Sequence, residues 1–396
     1  TDDNGQGGFR FQPPAGHLAL CTANMKDTDY APIGPNSSAG TPDKHFDTLL
    51  YSGANMTASN DPDVSSRRIG GLNFQPDLVL IKNRDTTDGW SLQDSVRGWE
   101  YGTKLSPYDT SGENNSSGGS YGNYGFVSGA FDGGFEICPG TSPGQVDGPT
   151  SENFAAWCWK AGNETTINND GATQSTVSVN RDAGFSIVSW TGPNGTATTV
   201  GHGLSQAPEW MILKNRNIDS NYAVYHKSLA DDQYLRLDTD AEALTASSRF
   251  NSTDPTATVF SVGSDSSVSG DGDGEGIIAY CWHSVEGYSK FGMYRGNGGD
   301  NGTFVYLGFK PAWLIVKQVN GTNAWFYQDT TRNPENPTAA GGLRADTAAE
   351  NTNSKACDFL SNGFKWRVTT GYGNDSDEEY LYMAFAQSPF AHNLAD

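Results

Sequence analysis

Pro208-Glu209-Trp210-Met211-Ile212-Leu213-Lys214-Asn215-Arg216 decides the fold, because the chain writes this stretch three times. Pro76 leads into Asp77-Leu78-Val79-Leu80-Ile81-Lys82-Asn83-Arg84, and Pro311 into Ala312-Trp313-Leu314-Ile315-Val316-Lys317, with six residues from proline to lysine each time. A short apolar run opened by proline reads as a strand, with the proline entering the sheet at its edge, where no ladder donor is lost. Its recurrence makes it one element of a repeated unit.

Outward from that strand the other landmarks keep their order. Upstream lie Tyr51-Ser52-Gly53, Trp190-Thr191-Gly192 and Tyr294-Arg295-Gly296. Downstream, Trp90, Asp94 and Arg97 share their spacing with Trp325, Asp329 and Arg332, while the middle copy has Tyr222 and His226 at the first two positions. Asp109 with Glu113, Asp238 with Glu242 and Asp346 with Glu350 follow, then Phe135, Phe260 and Phe364. The copies close on Ala156-Trp157-Cys158-Trp159, Ala279-Tyr280-Cys281-Trp282 and Tyr382-Met383-Ala384-Phe385.

The copies therefore span 45–162, 182–287 and 288–396, after an N-terminal arm at 1–44. A polar linker occupies 163–181, although Ser175 to Val179 alternates as a strand would. The second and third copies follow each other almost without a linker, which predicts rigid apposition. Short β-branched and aromatic runs bounded by Gly, Pro, Asn and Asp predict an all-β chain of three tandem antiparallel β-sandwich modules, jelly-roll or lectin-like. The one helix-like stretch is Ala241-Glu242-Ala243-Leu244, with its counterpart at Ala348-Ala349-Glu350.

Composition agrees. Aromatic residues at 12% of 396 are too many for a disordered polar chain, which lacks the apolar groups to offset ordering entropy. No run reaches the roughly 18 apolar residues of a membrane helix, and Thr1 to Gly8 has neither region of a signal peptide. Twenty-five Lys and Arg against 46 Asp and Glu give a net charge of −21, so nucleic acid and anionic bilayers are not expected partners. Cys21, Cys138, Cys158, Cys281 and Cys357 are widely spaced and read as buried free thiols.

The run Gly184 to Arg216, then Tyr222 to His226, Ile278 to Gly292 and Asp358 to Arg367 resemble a repeat of virion structural and tail-fibre-like proteins of tailed, especially marine, bacteriophages. Phe9 to Pro14 with Leu18 to Thr22 resembles the end of a SPRY-like β-sandwich. The resemblance implies a virion exterior or extracellular location, other virion proteins as partners, a homo-oligomer that is a trimer by family analogy, and adhesion to host cell-surface polysaccharide. It implies no catalytic residues. A depolymerase on the same fold and a structural spacer are the alternatives.

Carboxylates recurring in every copy, Glu113, Glu242 and Glu350 with Asp109, Asp238 and Asp346, read as turn and capping groups, since an active site is needed once and a turn in each module. Trp90 and Trp325, each beside an Asp and an Arg, are candidate sugar-stacking residues, as are Tyr121 and Tyr124 in the Gly/Ser-rich insertion found only in the first copy. Asp271, Asp273 and Glu275 alternate as calcium ligands do, without flanking helices or an EF-hand's twelfth-position Glu. His202, His226 and His283 lack compact metal-ligand spacing.

Overall fold

The computed structural model describes residues 33, 39–113, 121–272, 274–336, 343–344, 357–369 and 371–386. The protein is nearly all β, with 41% strand and 4% helix, in several antiparallel sheets of which none closes.

Three large sheets share one strand order. In the first, Phe46–Ser52, Asn153–Trp159, Leu78–Asn83 and Ser91–Asp94 lie side by side. The second repeats this with Phe185–Thr191, Gly276–Trp282, Trp210–Asn215 and Ala223–His226, and the third with Ser289–Arg295, Glu379–Ala386, Pro311–Gln318 and Phe326–Asp329. The quoted stretch is thus an inner strand, paired on both sides in every sheet. Its proline precedes the strand or opens it, as Pro311 does, instead of lying on an edge strand.

The second sheet is wider. Thr166–Asn168 and Ser175–Asn180 extend one side, so much of the expected linker is sheet. On the other side, Gln233–Arg236 pairs with Leu244–Thr245, and that pairing replaces the expected helix. The backbone N–H of Ala243 donates across to Val319 O at 2.7 Å, tying this segment to the third copy. The short helices lie elsewhere, at Ser247–Phe250 and Ser266–Ser269.

Side chains alternate across a strand, and here both faces of each large sheet are buried. Val79, Ile81, Phe154, Ala156 and Cys158 pack toward the small sheet Arg67–Gly70, Gly134–Cys138, Phe126–Phe131. Met211, Leu213, Ala279 and Cys281 pack toward Thr198–Gly201 with Val259–Val262. Leu314, Val316, Tyr382 and Ala384 pack toward Phe304–Tyr306, Gly363–Trp366, Cys357–Leu360.

The opposite faces meet one another. Leu78, Leu80, Trp157 and Trp159 from the first sheet, Trp210, Tyr280 and Trp282 from the second, and Trp313, Ile315, Met383 and Phe385 from the third form one cluster. Ring pairs join every pair of sheets: Trp159 to Trp282 at 6.4 Å, Trp159 to Trp313 at 5.6 Å and Trp210 to Phe291 at 6.3 Å. Residues of all three sheets, among them Leu80, Trp159, Trp210, Trp282, Trp313 and Met383, line a small apolar cavity of about 50 Å³. Cys138, Cys158 and Cys281 are buried free thiols, Cys357 is buried, and Cys21 lies outside the described residues.

Candidate functional site

The repeated lysine is a strut. Lys82, Lys214 and Lys317 are fully buried, and each ammonium donates to the carbonyls one and four residues ahead: Asn83 and Thr86, Asn215 and Ile218, Gln318 and Gly321. Two also reach a neighbouring copy, Lys214 to Thr110 O at 3.1 Å and Lys317 to Asp240 O at 3.2 Å. A buried ammonium surrounded by carbonyls recovers part of its lost hydration.

The aromatic, Asp and Arg set also lies inside. Trp90 and Trp325 are fully buried in the central cluster, which corrects the expectation that their rings offer a sugar-stacking face. Asp94 pairs with Arg97, and Asp329 with Arg332, with all four side chains buried. These pairs face the next copy: Tyr280 Oη donates to Asp94 Oδ2 at 2.7 Å, and Trp157 Nε1 to Asp329 Oδ2 at 3.3 Å. Glu113 bridges Arg97 at 2.8 Å and Arg216 at 2.9 Å, tying the first copy to the second, so its role exceeds capping. Asp109 does form an Asx turn, accepting from Ser111 N at 2.9 Å, and Asp238 accepts from Tyr222 N at 3.0 Å. Glu242 is exposed, and Asp346 and Glu350 lie outside the described residues.

In the acidic loop, Glu275 Oε2 accepts from Asn215 Nδ2 at 2.7 Å, the pairing that Glu152 makes with Asn83 at 2.8 Å. Asp271 is exposed and Asp273 lies outside the described residues, among which no group of three or more His, Cys, Asp or Glu is placed to hold a metal. Burial drives two of these histidines toward neutrality, lowering His202 to about 4 and His226 to about 3. Tyr124, ending the helical turn Tyr121–Tyr124, is 45% exposed, and the Tyr121 side chain lies outside the described residues.

Two surface features have uncommitted chemistry. The first is the strand Phe304–Tyr306, whose Phe304 and Tyr306 are 42% and 60% exposed. Register identifies their counterparts: Tyr306 opposes Gly363 just as Gly201 opposes Val259 and Gly70 opposes Gly134, so the outward pair is Arg68 and Gly70 in the first copy and Thr199 and Gly201 in the second. In the first copy Arg68 caps the Phe131 ring at 3.7 Å. In the second, the chain covers the strand, with Thr173 N donating to Thr199 O at 3.0 Å and Ala172 N to Thr199 Oγ1 at 2.9 Å. In the third the aromatic rings lie low over glycines, since a Cβ on Gly363 would come within 3.1 Å of Phe304 and one on Gly308 within 3.6 Å of the Tyr306 hydroxyl. Lys290 holds the strand edge, donating to Tyr306 O at 2.9 Å with its ammonium 5.2 Å from the ring centroid. Burial, then the charge of Lys227, lowers the Lys290 pKa.

The second is a polar cleft of about 310 Å³ at one end of the second large sheet, lined by Gln174, Ser175, Thr176, Ser189, Trp190, Thr191, Arg216, Gly274 and Gly276. Sequence reasoning singled out neither feature. The signal for the first was the aromatic, apolar, aromatic alternation of Phe304-Val305-Tyr306 where the other copies carry Arg/Gly and Thr/Gly.

These features define an all-β protein of repeated antiparallel sheets with an exposed aromatic strand and a polar cleft on its surface. A family model described as a domain of unknown function, DUF7483, matches residues 41–389, and the chain belongs to that family. No curated protein and no solved structure matches it.

Proposed function

We propose that the chain is a non-enzymatic glycan-binding protein of a virion exterior, adhering to host cell-surface polysaccharide. The observation that supports this most is the Phe304 and Tyr306 platform. Flat rings offer large contact to sugar C–H faces at low rotamer cost, and these two are aromatic where neither other copy requires an aromatic side chain. In this reading each copy is a β-sandwich module of one large and one small sheet, and the three stand in tandem at 45–162, 182–287 and 288–396. The virion setting, virion protein partners and a trimer rest on the resemblance of the repeat. Because the three large sheets face one another, subunits would associate through small sheets, sheet ends or loops.

Retention of the purified protein on host polysaccharide, with reducing-end release followed in parallel, is the test. Retention without release, lost in Phe304→Ala/Tyr306→Ala while stability changes by about 1 kcal/mol or less, as for surface substitutions, is the expected result. Release of reducing ends would establish the depolymerase instead, and absence of retention would leave the spacer.

A further inference from the structure

We infer that the polar cleft at the end of the second large sheet is a binding pocket for a single neutral hexose residue, such as a chain end or branch of a glycan. This goes beyond the platform in location but rests on the same reading of the chain as a glycan binder.

The pocket is built by an element peculiar to the second copy. Strand Ser175–Asn180 adds to the outer side of Phe185–Thr191, placing Thr176 opposite Ser189. The next strand brings Gly276 opposite Thr191. Because Gly276 has no side chain, Arg216 lies across it: a Cβ there would meet Arg216 Nη1 at 3.3 Å. The hydroxyls of Thr176, Ser189 and Thr191 make no hydrogen bond to the described residues, and Gln174 spends only its amide nitrogen, on Asn169 Oδ1 at 2.8 Å.

The chemistry of these walls selects the ligand. Its volume of about 310 Å³ is near the lower bound of small-molecule sites, roughly 300 Å³, but such sites are usually apolar. Hydroxyl, amide and guanidinium walls instead suit a ligand carrying both donors and acceptors on several faces, met directly or through bridging water. A hexose has that character.

Charge decides between neutral and acidic sugars. Arg216 gives Nε and Nη2 to the two oxygens of Glu113, each at 2.9 Å, so its charge is balanced and Nη1 is left as a hydrogen-bond donor. No uncompensated cation remains among the lining residues for a uronate or sulfate, and the surrounding chain carries −21. A neutral ring loses nothing to that field.

Saturation-transfer NMR with methyl glucoside, galactoside and mannoside, and with glucuronate as the acidic arm, tests this on three proteins: wild type, Thr176→Val/Thr191→Val and Phe304→Ala/Tyr306→Ala. Valine keeps the β-branched shape that strands favour, and an unchanged melting temperature verifies folding. Expected is transfer to at least one neutral hexoside in wild type and in the platform variant, its loss in the threonine variant, and none to glucuronate. Absence of transfer to every hexoside in wild type, transfer that survives in the threonine variant, or glucuronate preferred over hexosides would overturn the pocket. Hexoside binding that persists while polysaccharide retention is absent would defeat the adhesion reading and leave the pocket standing.

Discussion

His226 shows how a single buried residue sets a solution property. It occupies the position of Asp94 and Asp329 and accepts from Ser228 N at 3.0 Å, as Asp94 accepts from Val96 N at 3.0 Å, so the ring must stay neutral at Nδ1. Burial first, then the charge of Lys227, lowers its pKa to about 3, against about 6.5 in the unfolded chain. Between those values the unfolded chain binds a proton that the folded chain refuses, so stability falls as pH drops from about 6.5 toward 3, by about 1.4 kcal/mol per pH unit for this group. His202, lowered to about 4 chiefly by burial, has the same sign over a narrower window. Asp47, raised to about 6 by burial, has the opposite sign and partly masks them. The comparison is therefore by difference: His226→Asn should show a shallower decline than wild type in denaturant midpoints between pH 6.5 and 4. Equal slopes would mean that His226 does not refuse the proton.

At the scale of elements, the three seams between sheets use two solutions. Two have a buried Asp and Arg pair facing a polar hydrogen, Tyr280 Oη at one and Trp157 Nε1 at the other. The middle copy has His226 and Leu229 at the Asp and Arg positions, and the closing-strand residue corresponding to Tyr280 and Trp157 is Met383 in the third copy. Removing one partner of a buried ion pair leaves an uncompensated charge, at a cost of about 3–5 kcal/mol. Arg97→Leu should cost that much in chemical denaturation, and Asp94→His/Arg97→Leu/Tyr280→Met, which writes the middle copy's residues into the first seam, should recover most of it. A triple variant no more stable than the single one would refute the equivalence of the seams.

Those seams also mark where sequence reading stopped. The strands and their recurrence were legible because turn residues bound each apolar run, and the order of landmarks carried into three sheets of one strand order. What misled was the continuity of those runs. Leu78-Val79-Leu80-Ile81 has no polar face, so the pattern alone gives two buried faces without naming what covers each, and the second cover is the other copies. For the same reason Trp90 stands as a candidate sugar-stacking ring in the sequence: its spacing to Asp94 and Arg97 is visible there, its burial against Trp157 and Tyr327 is not. The platform and cleft escaped because each occurs in one copy, and a search for recurrence passes over it.

Over the whole molecule the central cluster makes the three copies interdependent. Trp159 alone touches ring partners from the second and third sheets, Trp282 at 6.4 Å and Trp313 at 5.6 Å, so a copy taken by itself would expose the aromatic face of its large sheet. Lys214 and Lys317 strengthen the tie by drawing carbonyls from the preceding copy. The cleft of the second copy and the exposed aromatic strand of the third are thereby held on one body. Calorimetry of the intact chain, compared with Trp159→Ala, tests this most directly. One cooperative transition is predicted, with calorimetric and van't Hoff enthalpies in agreement, and the substitution should lower that whole transition at a cost of about 3–5 kcal/mol. Separate transitions for the three copies, with only the first shifted by Trp159→Ala, would contradict the shared core.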